Sequence, residues 1–147
     1  MENNLYFAYG SNLSESQMKE RCPNYKTVCK ARLDNYELCF PKVAKTWENM
    51  GVASIIEKAG SYVEGFVYEL TNEDFKRMDE KEGGYDRKNI SVKNMSTNES
   101  LEVITYIAQK NNEAYNKPSF KYINQIIEGA KAHKLSDNYI ESLKRHL

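Results

Sequence analysis

Glu82 is the residue whose place in the sequence best fits acid–base chemistry. Residues 71–82 are predicted to form a helix, and at about 100° per residue Glu82 projects between Phe75 and Met78, which face the core. Burial and the negative end of the helix dipole both raise the pKa of such a carboxyl group, which suits a general base. Two alternatives stay open: the helix frays so that Glu82 reaches water, or Asp79, near the same face, is the second candidate.

The other candidate for chemistry is the segment Tyr9-Gly10-Ser11-Asn12-Leu13, between the first predicted strand and the first predicted helix. Gly10 lets the chain turn with its backbone exposed, and Ser11 and Asn12 favour local turn hydrogen bonds. Backbone amides at such a junction can converge on an anion, so the carboxylate of a small ligand would fit. An ordinary turn is the alternative, and no base near Ser11 in the sequence would make it a nucleophile.

Most other catalytic and metal-binding chemistries lack the residues that they need. The chain has three cysteines at long spacings and two histidines far from them, so we expect no disulfide framework and no metal site. The sequence contains no Gly-x-Ser-x-Gly elbow, phosphate-binding P-loop or His-Glu-x-x-His motif. The chemistry is therefore expected to use carboxylates, hydroxyls and backbone amides.

The length and charge of the chain exclude several classes of partner. At 147 residues the chain has the length of one domain, which we expect to span residues 1–147. It has 21 Lys and Arg against 21 Asp and Glu, and the net charge of +0 argues against nucleic-acid binding. Because no apolar stretch approaches the ~20 residues that span a bilayer and the start lacks signal-peptide features, we expect a cytoplasmic protein without a membrane partner.

Consecutive strands in the middle of the chain, with helices on either side, predict an α+β fold. Seven strands are predicted, at residues 5–9, 27–33, 36–40, 51–57, 62–70, 87–94 and 100–109. Four helices are predicted, at residues 14–21 and 71–82, after Ser119, and from Ser136. This number of strands can curl into a small barrel, although the pattern alone leaves closure open.

Four segments together carry a family resemblance. They are residues 6–13, 63–70 and 78–83 and, near the C-terminus, residues 118–122 followed by Gly129-Ala130 and Tyr139. They resemble the ordered motifs of the gamma-glutamylcyclotransferase family, which includes the AIG2-like proteins. Thr46-Trp47 and residues 51–55 look closest to the branch that acts on gamma-glutamyl amino acids, and the likeness extends from Tyr6 to about Leu143.

The resemblance implies a small mixed β-barrel of about six to seven strands flanked by helices, and an enzyme with no metal or organic cofactor. It implies that Glu82 is the acid–base catalyst and that Tyr9-Gly10-Ser11-Asn12-Leu13 lines the pocket of a small-molecule gamma-glutamyl substrate. In the family reaction the substrate's own α-amine attacks the γ-carbonyl, 5-oxoproline forms and an amine leaves. Tyr85 and Tyr106 are further candidates for the pocket, with core packing as the alternative.

Three functions stay open at this point: cyclisation of gamma-glutamyl amino acids, the same reaction on another gamma-glutamyl amine, and binding of a small ligand without catalysis. Only Gly83-Gly84 separates Glu82 from Tyr85, where some family members carry a longer loop, so the substrate is less defined than the reaction. Trp47, the only tryptophan, could cover the site, join a homodimer contact or pack.

Overall fold

The computed structural model describes residues 4–109 and 114–147, in which five strands close into a barrel and four helices pack around it. The strands are β1 (Leu5–Ala8), β2 (Lys26–Ala44), β3 (Met50–Glu69), β4 (Tyr85–Asn94) and β5 (Ser100–Ala108). The helices are α1 (Glu15–Arg21), α2 (Asn72–Lys81), α3 (Phe120–Ala132) and α4 (Asp137–Lys144). The α+β barrel fold expected from the sequence is confirmed.

The barrel is mixed because its first strand has one antiparallel and one parallel neighbour. The strands follow one another in the order β1-β3-β2-β4-β5, and β5 returns to β1. β1 is antiparallel to β3, with Phe7 opposite Val67, and parallel to β5, with Tyr6 opposite Ile104. Closure gives β1 a neighbour on each side, so it is held from both sides although it has only four residues.

Two strands are longer than the sequence pattern predicts, and for this reason the barrel has five strands rather than six to seven. The segments predicted at residues 27–33 and 36–40 form the single strand β2. Those predicted at residues 51–57 and 62–70 form the single strand β3. The prediction of separate short strands was therefore wrong at these two places.

A bend within the β2–β3 pair explains this difference. The pairing register shifts between Asp34 and Tyr36 of β2. Between them, Asn35 adopts a left-handed φ of 64°, and its side chain accepts a hydrogen bond from the N–H of Gly60 at 3.2 Å. These turn-forming residues interrupt the alternation of apolar residues, but they bend the paired strands instead of ending them.

β1 separates two hydrophobic clusters, since successive side chains of a strand point to opposite faces. Phe7 belongs to the larger cluster, which includes the apolar faces of α3 and α4. Tyr6 and Ala8 belong to the smaller cluster, where they meet Met18 of α1 and Met78 of α2. The chain that leaves β1 therefore lies where α1, α2 and α3 come together.

The helices begin at the side-chain caps that their sequences indicate. Thr71 Oγ1 accepts a hydrogen bond from the N–H of Asp74 at the start of α2. The carboxylate of Asp74 does not return to Thr71, as a capping box would require; it is buried and accepts from Asn24 N–H and Arg77. α2 is thereby tied to the chain that follows α1. Among the described residues, no helix combines the length and the apolar character needed to cross a membrane.

Gly129 lets α3 approach the turn that follows β1. This turn is a single turn of 3-10 helix, Ser11–Leu13. A Cβ atom at Gly129 would lie 2.7 Å from the backbone carbon of Leu13 and 2.8 Å from its oxygen. Because position 129 has no side chain, α3 can pack directly against the backbone of this turn.

We expect Gly129→Ala to destabilise the fold by about 1–2 kcal/mol. Overpacking against a backbone costs roughly 1–3 kcal/mol, and the better helix propensity of alanine returns at most about 1 kcal/mol. Urea unfolding measures the difference. Gly83→Ala is the matched control, because a Cβ at Gly83 meets nothing within 4 Å. An unchanged or higher stability of Gly129→Ala would show that this contact does not constrain the turn.

Candidate active site

A small pocket opens between the end of β1 and the C-terminal end of α2. It occupies about 330 Å³, counting its open mouth. Its walls are formed by Tyr6, Tyr9, Gly10, Ser11, Asn12, Ala53, Glu82, Tyr85, Tyr106 and Tyr122. The structure thus brings together every site residue expected from the sequence except Leu13.

Leu13 is placed elsewhere, which corrects the expectation that the whole segment from Tyr9 lines the pocket. The Leu13 side chain is fully buried in the larger hydrophobic cluster. Its N–H donates to the carbonyl oxygen of Gly10 at 3.0 Å, so it is not available to a ligand. In contrast, within the described part of the chain the N–H groups of Gly10 and Ser11 meet no acceptor.

Glu82 is the residue that immediately follows α2, and its side chain points into the pocket. The helix ends at Lys81, one residue earlier than predicted, but the N–H of Glu82 still donates to Met78 O at 2.9 Å. This bond keeps Glu82 close to its helical direction, and only 16% of its side chain is exposed. The alternative in which a frayed helix end carries Glu82 into water is therefore not what the structure contains.

The surroundings of Glu82 raise the pKa of its carboxyl group. Burial is the largest influence and favours the neutral acid. The positive charges of Arg21 and Lys42, and a hydrogen bond from Asn12, act in the opposite direction and only partly offset burial. Arg21 Nη1 lies 3.8 Å from Glu82 Oε1. A carboxyl group with a raised pKa can exchange its proton closer to neutral pH than an exposed glutamate.

The amide of Asn12 connects Glu82 to the turn after β1. Asn12 Nδ2 donates to Tyr6 Oη at 2.9 Å and to Glu82 Oε1 at 3.4 Å. Asn12 Oδ1 accepts from Gln17 Nε2 at 2.8 Å and from Arg21 Nη1 at 3.2 Å. Because two donors face the oxygen, the amide is oriented with its nitrogen towards Glu82.

Two glutamines from different helices hold the turn itself. Gln17 Nε2 donates to Ser11 Oγ at 2.8 Å, and Gln17 Oε1 accepts from Gln125 Nε2 at 2.8 Å. Gln125 Nε2 also donates to the carbonyl oxygen of Ser11 at 3.0 Å. The sequence reasoning missed both glutamines, since polar residues on amphipathic helices carry no pattern that sets them apart from a solvated face.

Three of the tyrosines that line the pocket use their hydroxyl protons within the protein. Tyr9 donates to the carbonyl oxygen of Tyr106 at 2.6 Å, and Tyr85 donates to that of Ala53 at 2.6 Å. Tyr106 donates to Asp79 Oδ1 at 2.5 Å. These side chains therefore act mainly as fixed walls, and burial raises the pKa of each phenol so that it stays neutral.

Tyr6 and Tyr122, which the sequence reasoning did not select, are bonded differently. Tyr6 Oη accepts from Asn12, and Tyr122 Oη accepts from the N–H of Ala53 at 2.9 Å. Neither hydroxyl donates to a partner in the described ranges, so each has a proton to offer to a ligand. Both residues lie in segments that carried the family resemblance, which was the available signal.

Asp79, the second candidate for the acid–base role, lies outside the pocket. Its two oxygens accept from Arg87 Nε at 2.8 Å and Nη2 at 2.7 Å. Although partial burial raises the pKa of Asp79, the hydrogen bonds from Arg87 and Tyr106 outweigh it and lower that pKa below its usual value. Asp79 therefore stays ionised and supports the Tyr106 ring from behind.

Thiol and metal chemistry have no suitable arrangement in the described ranges. The three cysteines form no disulfide in this part of the chain, and burial raises the pKa of Cys22 to about 12 and that of Cys39 to about 11, so both thiols stay protonated. Over residues 4–109 and 114–147, no three side chains of His, Cys, Asp or Glu meet as metal ligands would.

Comparison with known proteins finds relatives over nearly the whole chain. Residues 62–143 match the AIG2-like family. Gamma-glutamylcyclotransferase of Homo sapiens is 33% identical over 97% of this chain and 78% of its own length. The Mus musculus protein of that name is 32% identical over 95% of this chain and 77% of its own length. A solved structure of a gamma-glutamyl cyclotransferase superposes with a TM-score of 0.89 at 31% identity, over 97% of this chain and 87% of the other.

We expect Glu82→Gln to increase the stability of the protein at neutral pH. In the folded state the pKa of Glu82 is raised above its unfolded value of about 4.3, so folding favours the protonated group. The stability that Glu82 contributes is present below the unfolded pKa and is lost as the pH rises through the folded pKa, whereas glutamine does not ionise.

Urea unfolding at pH 3.5 and pH 7 tests this expectation. The stability difference between Glu82→Gln and the unmodified protein is expected to grow in favour of the variant as the pH rises. Glu80→Gln, at an exposed position of α2, controls for the loss of one negative charge from the same helix. A difference that grows in favour of the unmodified protein would mean that ionised Glu82 stabilises the fold.

Proposed function

The chain belongs to the AIG2-like family and catalyses gamma-glutamyl cyclotransfer, and we propose that Glu82 is the acid–base catalyst of this reaction. The substrate is a small gamma-glutamyl amide, and the products are 5-oxoproline and a free amine. The observation that carries the assignment of Glu82 is its side chain, which is only 16% exposed and lies in the wall of the pocket beside the turn after β1.

The chemistry explains why the pocket needs no nucleophile of its own. The α-amine of the glutamyl group attacks the γ-carbonyl carbon, a new C–N bond closes the five-membered ring, and the C–N bond to the departing amine breaks. Positioning is then the main task of the protein, and it contributes up to about 7–11 kcal/mol in favourable intramolecular reactions. The aromatic walls formed by Tyr9, Tyr85 and Tyr106 are fixed by hydrogen bonds and can hold the chain of the substrate in a folded conformation.

Glu82 moves two protons on this pathway. An α-amine has a pKa of about 7.7–8.0, so much of it is protonated at neutral pH and cannot attack. Ionised Glu82 removes that proton, and the resulting acid passes it to the leaving nitrogen, which cannot depart as an amide anion. The regenerated carboxylate then takes the second proton that the attacking nitrogen must lose to become the ring N–H of 5-oxoproline, and releases it to solvent with the products. The raised pKa of Glu82 makes its proton affinity more similar to that of the two nitrogens. This similarity favours proton transfer in each direction.

The remaining polar groups of the pocket suit an anionic oxygen of the substrate. The N–H groups of Gly10 and Ser11 meet no acceptor in the described ranges, and the hydroxyls of Tyr6 and Tyr122 have protons to donate. We assign these groups to the substrate carboxylate and to the oxyanion that develops at the γ-carbonyl.

Four further expectations stay predictions of the sequence. They are the cytoplasmic location, the absence of a nucleic-acid partner, the homodimer contact and the single domain.

We expect Glu82→Gln to lower the rate of 5-oxoproline release by about 10²–10⁴-fold, because the amide can neither accept nor return the proton. The assay follows 5-oxoproline from a gamma-glutamyl amino acid, and calorimetry measures whether the variant still binds the substrate. Glu80→Gln, on the exposed face of α2, is expected to keep its normal rate. Near-normal turnover by Glu82→Gln would reject the assignment.

A further inference from the structure

A second compartment adjoins the pocket and shares four of its walls, Ser11, Glu82, Tyr85 and Tyr122. It occupies about 480 Å³, counting its open mouth. In the proposed reaction Glu82 serves both the attacking and the leaving nitrogen, so the scissile amide must lie beside its carboxylate. With the glutamyl group in the first pocket, the leaving amine extends into the second compartment.

The second compartment is strongly positive. Arg21, Lys42 and Lys81 line it, and within the described part of the chain Glu82 is the only acidic residue among its walls. Arg21 is already committed to Asn12 and Glu82. The Lys81 side chain forms no hydrogen bond or ion pair with the described residues, but it is exposed. Lys42 is the partly buried cation that remains for a ligand.

Contacts with the protein hold the Lys42 ammonium group in place but leave it N–H donors for a ligand. Its Nζ donates to the carbonyl oxygen of Gly83 at 3.2 Å and lies 4.9 Å from the centre of the Tyr85 ring. An ammonium group has three protons, so two remain for a ligand. Gly84 has a left-handed φ of 84°, and a Cβ there would collide with the Lys42 ammonium. The chain after Glu82 thus makes room for this lysine.

Trp47 closes another side of the compartment. It lies in the short helical turn after β2, and its ring packs edge-on against Tyr122 at a centroid distance of 4.7 Å. Of the three roles left open for Trp47, the structure therefore places it at the rim of the site. Its half-buried ring offers an apolar surface beside the cations, which suits an aliphatic side chain next to a carboxylate.

We propose that Lys42 determines the specificity for the leaving amine by pairing with a carboxylate adjacent to the released nitrogen. This inference rests on the proposed function, since it takes Glu82 as the position of the scissile amide. An α-amino acid with a small aliphatic side chain satisfies both the lysine and the tryptophan. A neutral amine leaves the Lys42 ammonium without a partner, and a leaving amine that carries a second positive charge is repelled.

The test compares gamma-glutamyl-alanine with gamma-glutamyl-alaninamide, in which a neutral amide replaces the carboxylate of the leaving group. The amide also makes the leaving amine less basic, but this difference is the same for every variant and cancels when their ratios are compared. The readout is the ratio of kcat/KM between the two substrates, which does not depend on how much of a variant is folded. It also cancels any effect of Lys42 on the pKa of Glu82, since that effect acts on both substrates. We expect the unmodified protein to prefer the carboxylate substrate by about 10-fold or more.

Lys42→Met is expected to abolish this preference, and Lys42→Arg to retain most of it. Lys45→Met, three residues away at an exposed position outside the compartment, is the matched control and should keep the full ratio. Equal rates on both substrates in the unmodified protein, or an unchanged ratio in Lys42→Met, would overturn the role of Lys42. Absence of 5-oxoproline from every substrate would instead overturn the proposed function itself.

Discussion

The burial of the Glu82 carboxylate beside the Asn12 amide is the interaction on which the rest of the site depends. A carboxylate removed from water is destabilised unless hydrogen bonds or cations compensate it, and here the compensation is partial. Stronger pairing with Arg21 would hold the carboxylate ionised, as Arg87 does for Asp79, and would remove its ability to return a proton. The distance of 3.8 Å between Arg21 and Glu82 leaves room for exchange.

The short strand β1 fixes the start of the turn that lies beside Glu82. β1 has neighbours on both sides, and its alternating side chains enter two separate hydrophobic clusters, so the turn that follows starts from a fixed point. Gly129 sets the position of α3 against that turn, and Gln17 and Gln125 bind its polar groups. The turn that contains the Gly10 and Ser11 amides is thus held by α1 and α3, while Glu82 follows the end of α2 on the other side of the pocket.

The sequence predicted the position of the Glu82 side chain better than it predicted the strands around it. Helical periodicity predicted that the Glu82 side chain points inward. The structure agrees because the Glu82 N–H still donates to the Met78 carbonyl oxygen after α2 has ended. The same kind of reasoning divided β2 and β3 at turn-forming residues such as Asn35, since local chemistry does not distinguish a bend in paired strands from their end. Leu13 turned to the core, and the roles of Gln17 and Lys42 had no local signal, because they arise from contacts between elements far apart in the chain.

The Glu82 carboxyl group is held in a folded environment that favours its protonated form. Carbon-13 NMR of labelled glutamate carboxyl groups, with the Glu82 signal assigned by its loss in Glu82→Gln, measures its titration directly in the free protein. We expect a midpoint clearly above the value of about 4.3 for an exposed glutamate. A midpoint at or below that value would contradict it, because such a group would be no better poised for proton exchange than a surface carboxylate.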